Sequence, residues 1–429
     1  MAVLCESSAG WLLDELSLIN RWYEFGGGLG SRSPTDEEQE NTRTVYKVKN
    51  ELFQLIKPYF SLSLSITSNQ NAASQSDDRA PAGCKAVRKK RKRSNALNQG
   101  ELDALEYHQK ICDLILKASQ VLIQEGLKNG QLHAYTQNEE EHGKVTSAVC
   151  MRSSSLAELC NMTKELSSLG VYEHTVNIIG SDQQSSESMD WLSRITENSS
   201  EWTQVIHLLG EKYLVPPKSS FLLSDISCME PLLHYKKYGI IVIDPPWENK
   251  SVKRSKRYNY LSTLDIKQLP IPDLAAQNCL VITWVTNRQK HLRFVKEELY
   301  PHWSVRTLAE WHWVKITQSG EFVFPMESAH KKPYEIMVLG CLIDDMDSAK
   351  REPDLDLCPI PQHKIIVSVP CSLHSHKPPL SEVLKKYVKP DAARLELFAR
   401  NLQPGWTSWG NEVLKFQHME YFIPFETEK

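Results

Sequence analysis

The feature that most constrains this chain is a short apolar run cut off by two prolines. Tyr238-Gly239-Ile240-Ile241-Val242-Ile243 is rich in β-branched residues and leads straight into Asp244-Pro245-Pro246-Trp247. The run reads as a buried strand. It must stop at the prolines, since neither has an N–H to donate to a sheet ladder. A carboxylate is therefore left at the carboxyl end of a strand, which in an open α/β sheet is where ligand crevices form. A rigid turn and an indole follow.

A carboxylate, a fixed carbonyl and an indole suit methyl transfer to an amine conjugated with a ring, such as the N6 of adenine. That nitrogen is a poor nucleophile because the ring shares its lone pair. Asp244 and the Pro245 carbonyl can accept its two hydrogens, localise the lone pair and aim it at a methyl donor. Trp247 can stack on the base, and Pro245 and Pro246 keep the acceptors fixed. The expected catalysis is positioning and electrostatics rather than strong-base chemistry.

The 429 residues allow about two or three domains. From Pro216-Pro217 onward strands alternate with helices. Expected strands are 220–226, 239–244, 279–286, 305–316, 335–342, 364–369, 394–399 and 405–410, and expected helices 288–299 and 380–389. This alternation predicts a three-layer α/β domain over 216–429. Upstream, residues 1–62 are a partly structured segment, with a short helix or strand before Gly26 and another short element over 40–60. Residues 63–99 are polar and read as a disordered linker. Residues 100–215 read as a mostly helical domain. The clearest helix there is 101–126, with Leu102, Leu105, Ile111, Leu114, Ile115, Ala118, Val121 and Leu122 at helical spacing and Gly126 placed to end it. Further helices are expected at 154–168 and 188–214.

A net charge of −3 does not announce a nucleic-acid protein, so local charge must decide. Two basic stretches do speak. Seven of the nine residues from 85 to 93 are Lys or Arg, which in a flexible segment reads as a nuclear-import signal or a nucleic-acid tether. Just after Trp247, five of the eight residues from 250 to 257 are basic, and Tyr258 and Tyr260 follow. Basic side chains hold phosphates and aromatic rings stack on unpaired bases. Asn249, Lys253, Arg254, Lys256, Arg257 and Tyr258 are thus candidates for clamping a nucleotide strand. The ten cysteines form no Cys-x-x-Cys pair, and no histidine pair has zinc-finger spacing. Reduced thiols of a nuclear or cytosolic protein, with no metal, are the simplest account. The N-terminus is acidic before its first arginine and resembles no targeting peptide, and no run approaches 18 apolar residues.

Asp-Pro-Pro-Trp after an apolar strand resembles the signature of the eukaryotic adenine-N6 methyltransferases, and Leu97-Asn98-Gln99-Gly100-Glu101-Leu102-Asp103 looks like their methyltransferase-like protein 4 branch. The resemblance runs in ordered motifs over about 216–415. It implies a permuted Rossmann-like domain that uses S-adenosylmethionine. There is no Gly-x-Gly-x-x-Gly, which argues against a nicotinamide or flavin site. The segment matching the family's donor strand is Arg394-Leu395-Glu396-Leu397-Phe398-Ala399-Arg400-Asn401, followed by Gly410-Asn411. A buried Glu396 suits the vicinal ribose hydroxyls of the donor. The resemblance adds Arg400, Asn401, Asn411 and Glu412 to the donor side. Ser375-His376-Lys377-Pro378 matches a family loop whose Lys377 would meet the donor carboxylate. Asp225 would take the donor adenine amine and Ile226 a backbone contact. Asn287 and His330 border the acceptor side. Two departures stand out: the loop after Arg400 is two residues shorter than in the messenger-RNA enzyme, and Glu412 stands where an amide is commoner.

The branch resemblance implies a monomeric enzyme that methylates N6 of 2′-O-methyladenosine in a small nuclear RNA. DNA adenine is the alternative acceptor, and a catalytically silent nucleic-acid-binding subunit the alternative class. A nuclear location is expected, with the cytoplasm as a second one.

Overall fold

The computed structural model describes residues 2–24, 45–59, 98–133, 176–179, 191–192, 194–225, 228–248, 261–328, 331–343 and 357–425. Among these residues, twelve strands form one sheet. In spatial order they are β1 (Val3–Glu6), β2 (Gly10–Leu13), β13 (Ile365–Ser368), β11 (Val305–Lys315), β12 (Tyr334–Leu342), β10 (Ala275–Val285), β9 (Tyr238–Ile243), β14 (Arg394–Leu397), β15 (Trp406–Gly410), β8 (Ser219–Leu223), β5 (Ile195–Asn198) and β4 (Asn177–Ile178). Two smaller sheets pair β3 (Val45–Val48) with β16 (Phe422–Phe425) and β6 (Gln204–Leu208) with β7 (Glu211–Val215). All eight strands expected from 216 onward are present, with ends shifted by a few residues.

The five central strands β10, β9, β14, β15 and β8 are mutually parallel. From β9 the chain proceeds to β10 on one side, while β14 on the other side leads to β15. The winding direction therefore reverses between β9 and β14, the switch point outside whose carboxyl strand ends an open α/β sheet places its ligand crevice. β12 runs antiparallel to β10, with Val285 opposite Ile336, so the first residues of β12 reach the same end.

Side chains alternate across β9. Ile241 and Ile243 join one core with Val281, Leu395 and Leu397, while Ile240 and Val242 join the other with Leu280 and Ile282. Each fully buried aliphatic chain contributes about 2 kcal/mol of transfer free energy. Helices cover both faces: α2 (Gln99–Lys128) and α3 (Gln289–Arg293, continued by a π-turn to Leu299) pack on the first core, and Ser381–Leu384 on the second.

Three expectations need correction. The helix expected to end at Gly126 ends at Lys128. It starts at a capping box, in which Asn98 accepts from the Glu101 N–H and Glu101 from the Asn98 N–H. Gly126 serves packing instead, because a Cβ there would lie 2.6 Å from Leu12. The helix expected at 188–214 is replaced by β5, β6 and β7. β6 and β7 are joined by Leu209 (φ 54°) and Gly210 (φ 78°), the two left-handed positions of a type I′ hairpin turn. The helix expected over 380–389 is a single turn, Ser381–Leu384.

The first residues belong to the main sheet. β2 pairs in parallel with β13, and Asp14 donates its N–H to the Ala2 carbonyl ahead of α1 (Glu15–Glu24). The expected linker up to residue 97, the expected helix at 154–168 and both basic stretches lie outside the described residues. Among the described residues, no helix is long and apolar enough to cross a membrane.

Candidate active site

The crevice is built by loops that leave the carboxyl ends of β9, β14, β15 and β8. Asp244 follows β9, and its N–H reaches the Leu397 carbonyl of β14 at 3.4 Å. Trp247 N–H donates back to the Pro245 carbonyl at 2.8 Å, and Leu261 N–H to the Pro246 carbonyl at 3.2 Å. The two prolines thus make a tight turn whose carbonyls are already engaged. A carbonyl has two lone pairs, so Pro245 keeps one for another donor. At the end of β14, Phe398 adopts φ 60°, a left-handed conformation costly for a side chain of this size. It bends the chain sharply and delivers Arg400 to the same crevice.

There the charges alternate in sign along one chain of contacts. Lys315 pairs with Glu335, and Glu335 with Lys377 at 2.9 Å. Lys377 meets Asp244 at 3.2 Å, Asp244 meets Arg400 at 3.7 Å, Arg400 meets Glu412 at 3.3 Å, and Glu412 meets Lys415 at 3.0 Å. Burial works against the Lys377 ammonium, but Asp244 and Glu335 outweigh it and raise its pKa above the ordinary lysine value. Burial likewise opposes a charged Glu335, and the two lysines beside it overcome this and hold its carboxyl far below the usual range. Glu412, a departure from the family pattern, fits this arrangement: its carboxylate bridges Arg400 and Lys415, to which an amide would bring no charge.

Glu396 lies on β14 beside this chain and is 9% exposed. Burial, then the nearby Asp244 carboxylate, pushes its pKa up to about 7. Gln403 Nε2 donates to it at 2.9 Å, while the Gln403 Oε1 is buried without a partner among the described residues. At the end of β8, Asp225 is buried, and Ser224 Oγ accepts from Trp409 Nε1 and donates to the Cys228 carbonyl, both at 2.9 Å. This ties Ser224 and Cys228 to β15.

Trp247 differs from expectation. It is 7% exposed, donates its indole N–H to the Trp284 carbonyl at 2.9 Å, and stacks on His291 with ring centroids 4.8 Å apart. Burial, followed by Arg288 and Lys290, lowers the His291 pKa to about 4, so the stack is between neutral rings. With one face covered by His291, the ring anchors the Pro-Pro turn to α3 and β10 rather than offering a platform to a base.

The crevice therefore brings together Asp244, Lys377, Arg400, Glu412 and, at its edge, Glu396. Asn287 donates to the Tyr334 carbonyl at 2.8 Å and joins the end of β10 to the start of β12. Asn401 faces a separate apolar cleft lined by Tyr23, Phe53, His376 and Phe416, and Asn411 is exposed. Ile226, Asn249, Lys253, Arg254, Lys256, Arg257, Tyr258 and His330 lie outside the described residues. Sequence reasoning missed Glu335, Lys315 and Gln403. The one available signal was Glu335 opening an apolar run directly after Pro333-Tyr334. No group of three or more His, Cys, Asp or Glu side chains is placed to hold a metal among the described residues.

Comparison with known proteins places this site in context. The MT-A70 family model matches residues 238–412, which span β9 to Glu412. The chain is 51% identical to the human N(6)-adenine-specific methyltransferase METTL4, over 100% of both chains. It is 36% identical to the N6-methyladenosine RNA methyltransferase MTA1 of Pyricularia oryzae, over 51% of this chain and 58% of that one. It is 33% identical to a DNA N6-methyl methyltransferase of Caenorhabditis elegans, over 50% of this chain and 56% of that one.

Proposed function

The chain belongs to the MT-A70 family and is an N6-adenine-specific methyltransferase, and from that premise we propose that it methylates N6 of 2′-O-methyladenosine in a small nuclear RNA, using S-adenosylmethionine. The observation that carries the chemistry is Asp244 at the switch point of the sheet, with Lys377 at 3.2 Å and Arg400 at 3.7 Å.

The residues present fit such a donor. Lys377 offers a cation for an amino-acid carboxylate. Glu396 is a buried carboxylate with one amide partner and suits a pair of hydroxyls. Asp225 sits at the end of β8 as an acceptor for an adenine amine. When bound, the donor supplies an electrophilic methyl on a sulfonium. Asp244 accepts a hydrogen of the attacking amine, which localises the nitrogen lone pair and lowers the charge developing on it. Lys377 and Arg400 hold the Asp244 carboxylate in place, so no reorganisation is needed as charge develops. Trp247 and the two prolines keep the turn rigid, and the 250–257 loop tracks the acceptor backbone. We further propose that the enzyme acts as a monomer in the nucleus, addressed there by the 85–93 tract.

The choice of RNA rests on the branch resemblance. A DNA acceptor is the second reading, favoured by the likeness to the worm protein named for DNA. Methyl transfer measured on matched RNA and DNA oligomers, each with and without a 2′-O-methyl on the target adenosine, decides between them. The proposal expects the 2′-O-methylated RNA to be preferred by at least about tenfold in kcat/KM, a transition-state difference of about 1.4 kcal/mol. A preference for DNA would replace it with the second reading.

A further inference from the structure

The loop that carries Lys377 is held from outside the segment that contains the rest of the site. Ser375, two residues before Lys377, has φ 67°. A left-handed serine persists only where its surroundings over-determine it. Three contacts from the first sixty residues do so. Ser372 donates its N–H to the Leu52 carbonyl at 2.7 Å. Phe53 meets the His376 ring edge-on, with centroids 6.0 Å apart. Glu15, 2% exposed at the start of α1, places Oε2 3.9 Å from His376 Nδ1.

The last contact is unfinished. Among the described residues, both Glu15 Oε2 and His376 Nδ1 are buried and lack a hydrogen-bond partner. The other Glu15 oxygen is satisfied by Ser368 Oγ, which itself accepts from Trp313 Nε1 at 2.8 Å. Two orphaned polar atoms facing each other need a shift of about one ångström to bond. The pair can close without burying a charge. Burial pushes the Glu15 carboxyl up to about 8 and the His376 imidazole down to about 4. An acid O–H then faces a neutral ring nitrogen.

We infer that Glu15 is a positioning residue for methyl transfer: by bonding to His376 it sets the Ser375–Lys377 backbone so that the Lys377 ammonium meets the donor. The inference rests on the reading of Lys377 as the donor-carboxylate contact. It makes the N-terminal strand and helix part of the working site, although they are far away in sequence.

The test is calorimetric titration of the full chain with S-adenosylhomocysteine, beside RNA affinity by fluorescence anisotropy, for wild type, Glu15→Ala, Glu15→Gln and Lys377→Ala. Loss of one buried hydrogen bond should weaken the Glu15→Ala complex about tenfold, with RNA affinity unchanged. Glu15→Gln, whose amide can still donate to Nδ1, should stay within about threefold of wild type. A merely structural Glu15 would lower the melting temperature and the binding-competent fraction but leave the Kd of the folded protein alone. Wild-type affinity in Glu15→Ala, together with lost affinity in Lys377→Ala, overturns the inference and leaves the reading of Lys377 standing. Wild-type affinity in Lys377→Ala overturns that reading itself. Should Glu15→Ala fail to fold, Phe53→Leu keeps the apolar contact and loses the ring edge; unchanged donor affinity in that variant counts against the inference.

Discussion

Glu396 is buried and stands near a second carboxylate, Asp244, so it resists ionisation. Its pKa is about 7 in the folded protein against 4.5 ordinarily, with burial as the first cause and Asp244 raising it further. The unfolded chain therefore loses this proton first. Between those two pH values the folded state binds more protons, so stability must fall as pH rises through the window. Glu396→Gln removes the slope. Chemical denaturation at pH 5 and at pH 7.5 should show wild type losing up to about 3 kcal/mol more than the variant over that range. Glu15 has the same sign of shift but is common to both proteins and cancels in the comparison. Identical slopes would mean that Glu396 is as ionised in the folded chain as in the unfolded one. At this scale the sequence revealed the acid, its place on a strand and its apolar neighbours. It could not reveal Gln403 as the partner, because that contact depends on how the chain returns after Arg400.

The β-branched runs made the strands of the main sheet readable in advance, since alternation and a bounding proline or glycine suffice to define a strand. The β6–β7 hairpin was misread as helix because its turn is Leu209-Gly210, without the asparagine that usually marks a type I′ turn. That misreading makes a prediction. Leu209 is an exposed leucine held left-handed, so Leu209→Asn should stabilise the protein by about 1 kcal/mol, read as a rise in melting temperature. A lowered melting temperature would mean that the leucine side chain contributes more than its backbone costs. The site shows the same division. Asp244, Lys377, Arg400 and Glu412 were each visible in motifs, but Glu335 joins them only through the antiparallel return of β12. Trp247 was placed correctly on the turn, while the stack on His291 was invisible without the fold of α3. The 250–257 loop makes a prediction of its own. If Lys253, Arg254, Lys256 and Arg257 hold phosphates, each adds roughly 0.7 to the salt slope of single-strand binding. Changing all four to Ala should flatten the slope by about two to three in an affinity series over salt. Parallel slopes would place the acceptor strand on another face.

For the whole molecule, the sequence suggested separate segments before residue 216, yet β1 and β2 extend the same sheet as the candidate active site. Trp11, Leu12, Leu13, Leu18, Ile19 and Tyr23 are all buried, on both faces of that sheet and under α1. At about 2 kcal/mol each, these side chains rival the 5–15 kcal/mol that stabilises an ordinary domain. A chain lacking residues 1–24 should therefore show no cooperative melt in scanning calorimetry, whereas a melt at the wild-type temperature would make these strands an accessory. The central claim is that Asp244 enables methyl transfer to adenine N6. It is tested most directly by incubating wild type and Asp244→Ala with labelled S-adenosylmethionine and the 2′-O-methylated RNA oligomer, then digesting to nucleosides and identifying the labelled one by mass. Wild type should place the label on adenine N6. Asp244→Ala, folded as judged by circular dichroism, should lose at least about a hundredfold in rate, since such an acceptor is worth several kcal/mol of barrier. Label at another atom, or an Asp244→Ala enzyme with more than about a tenth of the wild-type rate, would contradict the claim.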